Sequence, residues 1–203
     1  MKHIRDTINI FAISIFAIYI ASSPLLVSCS KDDPATPTVL APLQDPLLGY
    51  LKATGFDEKS SAEIDSWDNE HGISFIPLVS GKITAIVLKS PVVLSNIRVT
   101  VWDKSDGRVL RTEYIDAPVA GLEAVKQIIA LEIVKGKEYF FTLNRNDWYY
   151  RSRNIRKAVV YPFTIGDIKI TSFAIKNGTT EQVMPTTPIN DGFFGDCSFK
   201  FQK

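Results

Sequence analysis

The sequence predicts an all-β fold: an antiparallel, jelly-roll-like β-sandwich of about nine strands, preceded by a leader and a tether. Two observations carry this expectation. From Ile73 onward, short runs rich in Val, Ile, Thr, Tyr and Phe recur roughly every 8–12 residues, with turn-forming Gly, Pro, Asn, Asp and Ser between them. Over the same stretch only residues 121–134 offer the three- and four-residue apolar spacing of a helix.

The chain opens with Lys2 and Arg5, continues through an apolar core over 8–20, and reaches small residues before Leu26-Val27-Ser28-Cys29. That charged, apolar, small-residue order is the order of a secretory signal. A membrane span needs about 20 apolar residues, and here Ser22, Ser23 and Pro24 interrupt the run. A leucine three before a cysteine and a serine just before it resemble the bacterial lipobox. In that family the cysteine thiol is diacylglycerated, the signal is cleaved before it and the new amine is acylated. The resemblance thus implies a signal peptide over 1–28, lipidation at Cys29 and a membrane partner through the lipid. Two or three acyl chains make a stable anchor, since each buried CH₂ adds about 0.8 kcal/mol. The following Ser30-Lys31-Asp32-Asp33 is similar to the Lys/acidic export signal of Bacteroidetes surface lipoproteins. That likeness implies that Lys31, Asp32 and Asp33 direct the protein to the outer leaflet of the outer membrane, facing the exterior. A solvated charged linker is the other reading of these four residues.

Residues 29–44 read as a tether, with Pro34, Pro37 and Pro42 and little that could pack. The folded domain is expected over 45–203. Removal of 1–28 leaves 175 of the 203 residues, with 21 basic and 21 acidic side chains once Lys2, Arg5 and Asp6 are gone. A neutral balance offers no electrostatic basis for nucleic-acid binding. Cys29 and Cys197 are the two cysteines, so acylation of Cys29 leaves no intrachain disulfide and the fold stands on packing.

Residues 45–56 are ambiguous: Leu47, Leu48 and Leu51 suit one short helical turn or a strip along the domain edge. The first clear strand run is 73–79, ended by Ser80-Gly81. Residues 83–88 are almost continuously apolar, as in a strand buried on both faces. Residues 97–102 alternate and lead into the hairpin loop Asp103-Lys104-Ser105-Asp106-Gly107, from which 108–115 returns. In 121–134, Leu122, Val125, Ile129 and Ile133 fall near helical spacing, but β-branched residues before a glycine turn make 128–134 a strand. In 138–143, Tyr139, Phe141 and Leu143 share one face. Runs over 158–165, 167–175 and 193–201 complete the series.

Gly81-Lys82-Ile83-Thr84-Ala85-Ile86, Arg98-Val99-Thr100-Val101-Trp102-Asp103, Gly107-Arg108-Val109-Leu110-Arg111-Thr112 and Gly136-Lys137-Glu138-Tyr139 form an ordered series. It resembles that of the DUF4082-type domains of secreted bacterial proteins, which often lie beside carbohydrate-active modules. The resemblance spans 73–144 and implies a carbohydrate-binding-like sandwich; no catalytic residues come with it, and the chain departs from the pattern from Ala158 onward.

Catalytic motifs are lacking. His3 lies in the signal, which leaves His71 as the one mature histidine, and no nucleophile elbow, P-loop or dinucleotide-binding glycine pattern occurs. The acid pairs Glu63/Asp65 and Asp68/Glu70 lie in an expected loop before the first strand, where carboxylates are solvated. Asp103, Ser105 and Asp106 offer oxygens but lack the EF-hand length and terminal Glu, so turn chemistry is expected. The expectation is a non-enzyme with no cofactor and no metal.

Asn144-Arg145-Asn146-Asp147-Trp148-Tyr149-Tyr150-Arg151-Ser152-Arg153 reads as an exposed loop after a strand. Three consecutive aromatics cannot all enter one core when strand faces alternate. Rings beside Asn, Asp and Arg suit sugar recognition, and Tyr and Arg equally suit protein interfaces. The candidate ligand-binding residues are therefore Asn144, Arg145, Asp147, Trp148, Tyr149, Tyr150 and Arg151. The alternative is that Trp148 and Tyr150 cover the end of the core. Trp67 and Trp102 are expected in the core or at its edge. Two function classes follow: a surface-anchored module for glycan or another extracellular ligand, or a structural component of a surface complex with a protein partner. A concave polar groove beside an aromatic platform marks the first; a flat apolar patch or unpaired edge strand marks the second.

Overall fold

The computed structural model describes residues 41–155 and 157–203. The signal over 1–28, Cys29, Lys31, Asp32, Asp33 and most of the tether lie outside the described residues. Gln44 already belongs to the folded unit: it exchanges two backbone hydrogen bonds of 2.8 Å with Phe201, and its amide donates to Asp167 at 2.6 Å.

The ambiguous stretch after it forms α1, Pro46–Thr54. The Asp45 carboxylate accepts the Leu47 N–H at 3.1 Å, Pro46 occupies the first turn, and Gly55 ends the helix at φ +76°. Nine residues are too few for an isolated helix to persist in water, so packing holds it. Tyr50 is fully buried, bonded to the Tyr161 hydroxyl at 2.6 Å and edge-on to Phe193.

Eleven strands follow among the described residues: β1 Lys59–Pro77, β2 Gly81–Lys89, β3 Leu94–Asp103, β4 Arg108–Ala117, β5 Glu123–Ile133, β6 Tyr139–Ser152, β7 Phe163–Ile165, β8 Ile168–Lys176, β9 Thr187–Ile189, β10 Phe193–Phe194 and β11 Asp196–Gln202. All pairings are antiparallel. The larger sheet runs β4-β3-β6-β1-β8-β7, with β10 beside β6 and β9 beside β8; the smaller runs β11-β2-β5. Together they form the expected sandwich, with unequal sheets.

Several boundaries correct the sequence reading. The first strand begins at Lys59, not Ile73, and so takes in the acids assigned to a loop. Of the run over 158–165 only Phe163–Ile165 is strand, and β9, which contains Pro188, had no strand signal. The run over 193–201 breaks at Gly195, φ +76°, and its halves join different sheets: β10 pairs with β6, β11 with β2. Residues 123–133 are strand throughout. Leu122, Val125 and Ile129, the apolar set at helical spacing, are exposed at 61%, 49% and 82%, while Ala124, Ile128 and Leu131 pack against the core.

The core lies between the sheets. Phe199 of β11 meets Phe75 of β1 at 4.7 Å and Phe141 of β6 at 5.2 Å between ring centroids. Tyr139, Phe141 and Leu143 face inward together, as their alternation requires, and Phe140 points to the opposite side. There Phe140, Trp102 and Ala174 form a second cluster covered by Met184. Trp102 is buried as expected; Trp67, expected near the core, is 69% exposed.

The Asp103–Gly107 loop is turn chemistry. Asp103 Oδ1 accepts from the Ser105 N–H and hydroxyl at 3.2 and 2.7 Å, and Asp106 Oδ1 accepts the Arg108 N–H at 3.0 Å. Lys137 approaches the Asp103 carboxylate at 2.6 Å, and with Ser105 it holds that carboxyl down to about 2.

Candidate functional site

The aromatic segment expected as a loop is the second half of β6. It is strand because β1 extends to pair with it: Lys59 lies opposite Ser152, Ser61 opposite Tyr150 and Glu63 opposite Trp148. Successive side chains therefore alternate, and the candidate constellation divides between two sides.

On one side, Trp148 and Tyr150 both pack on Phe194, at 5.7 and 5.9 Å. Trp148 is 8% exposed and edge-on to His71 at 5.2 Å, so it covers core as the alternative expected. Tyr150 is half-buried and lines an open groove of about 680 Å³. Lys59, Ser61 and Glu63 line this groove from β1, Ser152 lines it from β6, and Glu58, Arg153 and Asn154 stand beside them. The Ser61 hydroxyl donates to Glu63 at 2.7 Å, and the Asn154 N–H donates to Glu58 at 2.7 Å. Phe194 stacks on the Tyr150 ring with 27° between planes, and Gly192 lies so near that a Cβ there would come within 2.6 Å of the ring. The tyrosine is thus braced in one orientation.

On the other side, Tyr149 lies under two cations, with Lys89 Nζ 5.6 Å and the Arg151 guanidinium 5.3 Å from its centroid. Arg151 makes a paired contact with Asp196 of β11, Nε to Oδ1 at 2.9 Å and Nη2 to Oδ2, which raises the guanidinium's proton affinity further. Asp196 is 3% exposed, so Arg151 is committed to holding β6 against β11. Arg151 also lines a separate, mainly apolar cleft of about 300 Å³ with Leu47, Leu48 and Leu51 of α1.

The remaining candidates are structural. Asn144 donates to the Thr179 carbonyl at 2.9 Å, and Arg145 pairs with Asp147 at 2.8 Å. The candidate residues are therefore not one surface: Tyr150 alone of the seven lines the polar groove, and Arg151 alone lines the apolar cleft.

Sequence reasoning missed Glu70 and His71, adjacent residues of β1 that are fully buried. Glu70 was expected to be solvated. It receives the Arg98 guanidinium at 2.9 Å and the Thr142 hydroxyl at 2.5 Å, and Thr142 in turn accepts the Trp102 indole N–H at 2.9 Å. Burial pushes the Glu70 carboxyl up, opposed by Thr142, Arg98 and Asn144. Arg98 also donates to the carbonyls of Thr180 and Glu181, both at 2.8 Å, which pins the segment after β8 over the outer face. His71 has no hydrogen-bond partner on either ring nitrogen among the described residues, and burial drops it to about 4. A partner such as Arg98, far from Glu70 along the chain, leaves no local pattern to read.

Comparison with models of known families finds no match, and comparison with curated proteins likewise finds none.

Proposed function

We propose that this chain is a lipid-anchored, outward-facing lipoprotein of the outer membrane whose sandwich is a non-catalytic binding module. Its glycan site is the groove beside Tyr150. The anchor and address rest on the sequence around Cys29 and on Lys31, Asp32 and Asp33.

One observation carries the glycan reading: a braced tyrosine opens onto a groove whose other lining residues are charged, hydroxyl or amide side chains. Its volume of about 680 Å³ falls in the range of ligand sites, roughly 300–1,000 Å³. A sugar presents an apolar CH face to a ring and hydroxyls to planar polar groups. Tyr150 supplies the ring; Glu58, Glu63, Arg153 and Asn154 supply acceptors and donors around it. Such a site recognises without a reaction, and the groove needs only to be preformed.

A glycan array probed with the detergent-solubilised full chain tests this reading. Tyr150→Ala should abolish binding to whatever glycan the wild type captures and leave a cooperative thermal transition. Capture that survives in the variant would exclude the groove as the site.

A further inference from the structure

We propose that β1 is also a self-recognition edge, through which two copies of this chain pair antiparallel across residues 59–64.

The inference starts from what flanks β1. One edge of the strand pairs with β6 along its length, from Lys59 to Phe75. The other pairs with β8 only from Glu70 onward. Among the described residues no strand meets that second edge over 59–64. Each residue from Lys59 to Ile64 is exposed, on both faces of the ribbon. Large apolar side chains sit on the same strand, Ile64 at 74% exposure and Trp67 at 69%. An open edge with exposed apolar side chains is a template for another strand.

Symmetry and charge select the occupant. Two copies that continue one sheet antiparallel are related by a two-fold axis normal to the sheet. Such an axis keeps each face on its own side, so paired residues must share a face and the axis passes through a residue. Centred on Ser61, it sets Lys59 opposite Glu63 of the second copy and Glu63 opposite its Lys59. Ser60 and Ala62, both small, then meet on the other face. Neither Lys59 nor Glu63 belongs to an ion pair among the described residues. Edge charges of one sign repel a second copy; this lysine and glutamate, exchanged by the axis, attract it twice. So short a contact falls below roughly 1,200 Å², the size of weak, transient interfaces, and pairing needs a high local concentration.

Placement of Ser61 on the axis provides the test. Directly opposed residues of an antiparallel pair have Cα atoms about 4.5–5.5 Å apart, within disulfide reach. Ser61→Cys in the full-length, membrane-borne protein should therefore give a covalent dimer under mild oxidation. Lys59→Glu added to Ser61→Cys should reduce that dimer several-fold, and Glu63→Lys added to both should restore it. All three positions are exposed, so folding is not at issue. Absence of the dimer, indifference to Lys59→Glu, or a cross-linked species of another mass would each overturn self-pairing. None of these readouts depends on what the groove binds.

Discussion

Replacement of His71 by leucine removes a buried imidazole whose ring nitrogens lack partners among the described residues. The ordinary value of the group is 6.5, and in the fold it lies at about 4. As pH falls, the unfolded chain takes up this proton through 6.5, while the native state refuses it until about 4. Between those values the unfolded state binds more protons, so stability is lost as pH falls. The full separation corresponds to about 3 kcal/mol, at about 1.36 kcal/mol per pH unit. Near pH ~5 the same linkage gives a loss of about 2 kcal/mol. Glu70 acts in the opposite sense. Its carboxyl is raised above 4.5, so the native state holds that proton longer and gains stability as pH falls through its folded value toward 4.5. The difference between wild type and His71→Leu cancels this second contribution. Urea denaturation at several pH values, followed by tryptophan fluorescence, measures it; Trp148 sits 5.2 Å from the imidazole and reports the site directly. Because no hydrogen bond is lost, the variant should match wild type within about 1 kcal/mol at neutral pH. At about pH 5 it should be more stable by about 2 kcal/mol. Parallel stability curves for the two proteins over that window would refute the reasoning.

The two sides of β6 predict unequal mutants. Trp148→Ala, at an 8% exposed ring against His71 and Phe194, should destabilise by about 3–5 kcal/mol in thermal or urea melts. Tyr149→Ala, at a half-buried ring under two cations, should destabilise by only about 1 kcal/mol; equal losses would show that both rings are core. Cys29→Ala should abolish labelling by a palmitate analogue, and persistent label would exclude the lipid anchor. Alanine at Lys31, Asp32 and Asp33 should keep the lipid but protect the protein from protease added to intact cells; equal shaving of mutant and wild type would exclude the export signal.

Strand content and inward faces were determined by the sequence itself, because they follow from nearest-neighbour chemistry. Alternation put Tyr139, Phe141 and Leu143 on one face, and the Asp-Ser-Asp-Gly composition of 103–107 specified its turn through side chains reaching two residues along. Those signals are short-ranged and survive without knowledge of partners. What they leave open is which strand meets which. Only tertiary pairing made 144–152 a strand, since β1 had to reach back to Lys59 to supply its ladder. The division of Tyr149 and Tyr150 between two clefts follows from that pairing, and so do the polar groove and the bare edge of β1. Likewise, the helical spacing of Leu122, Val125 and Ile129 was overruled when β5 docked on β2 by its other face. A run of residues encodes its own periodicity; burial, and with it the fate of Glu70 beside Arg98, depends on chain segments brought together only by folding.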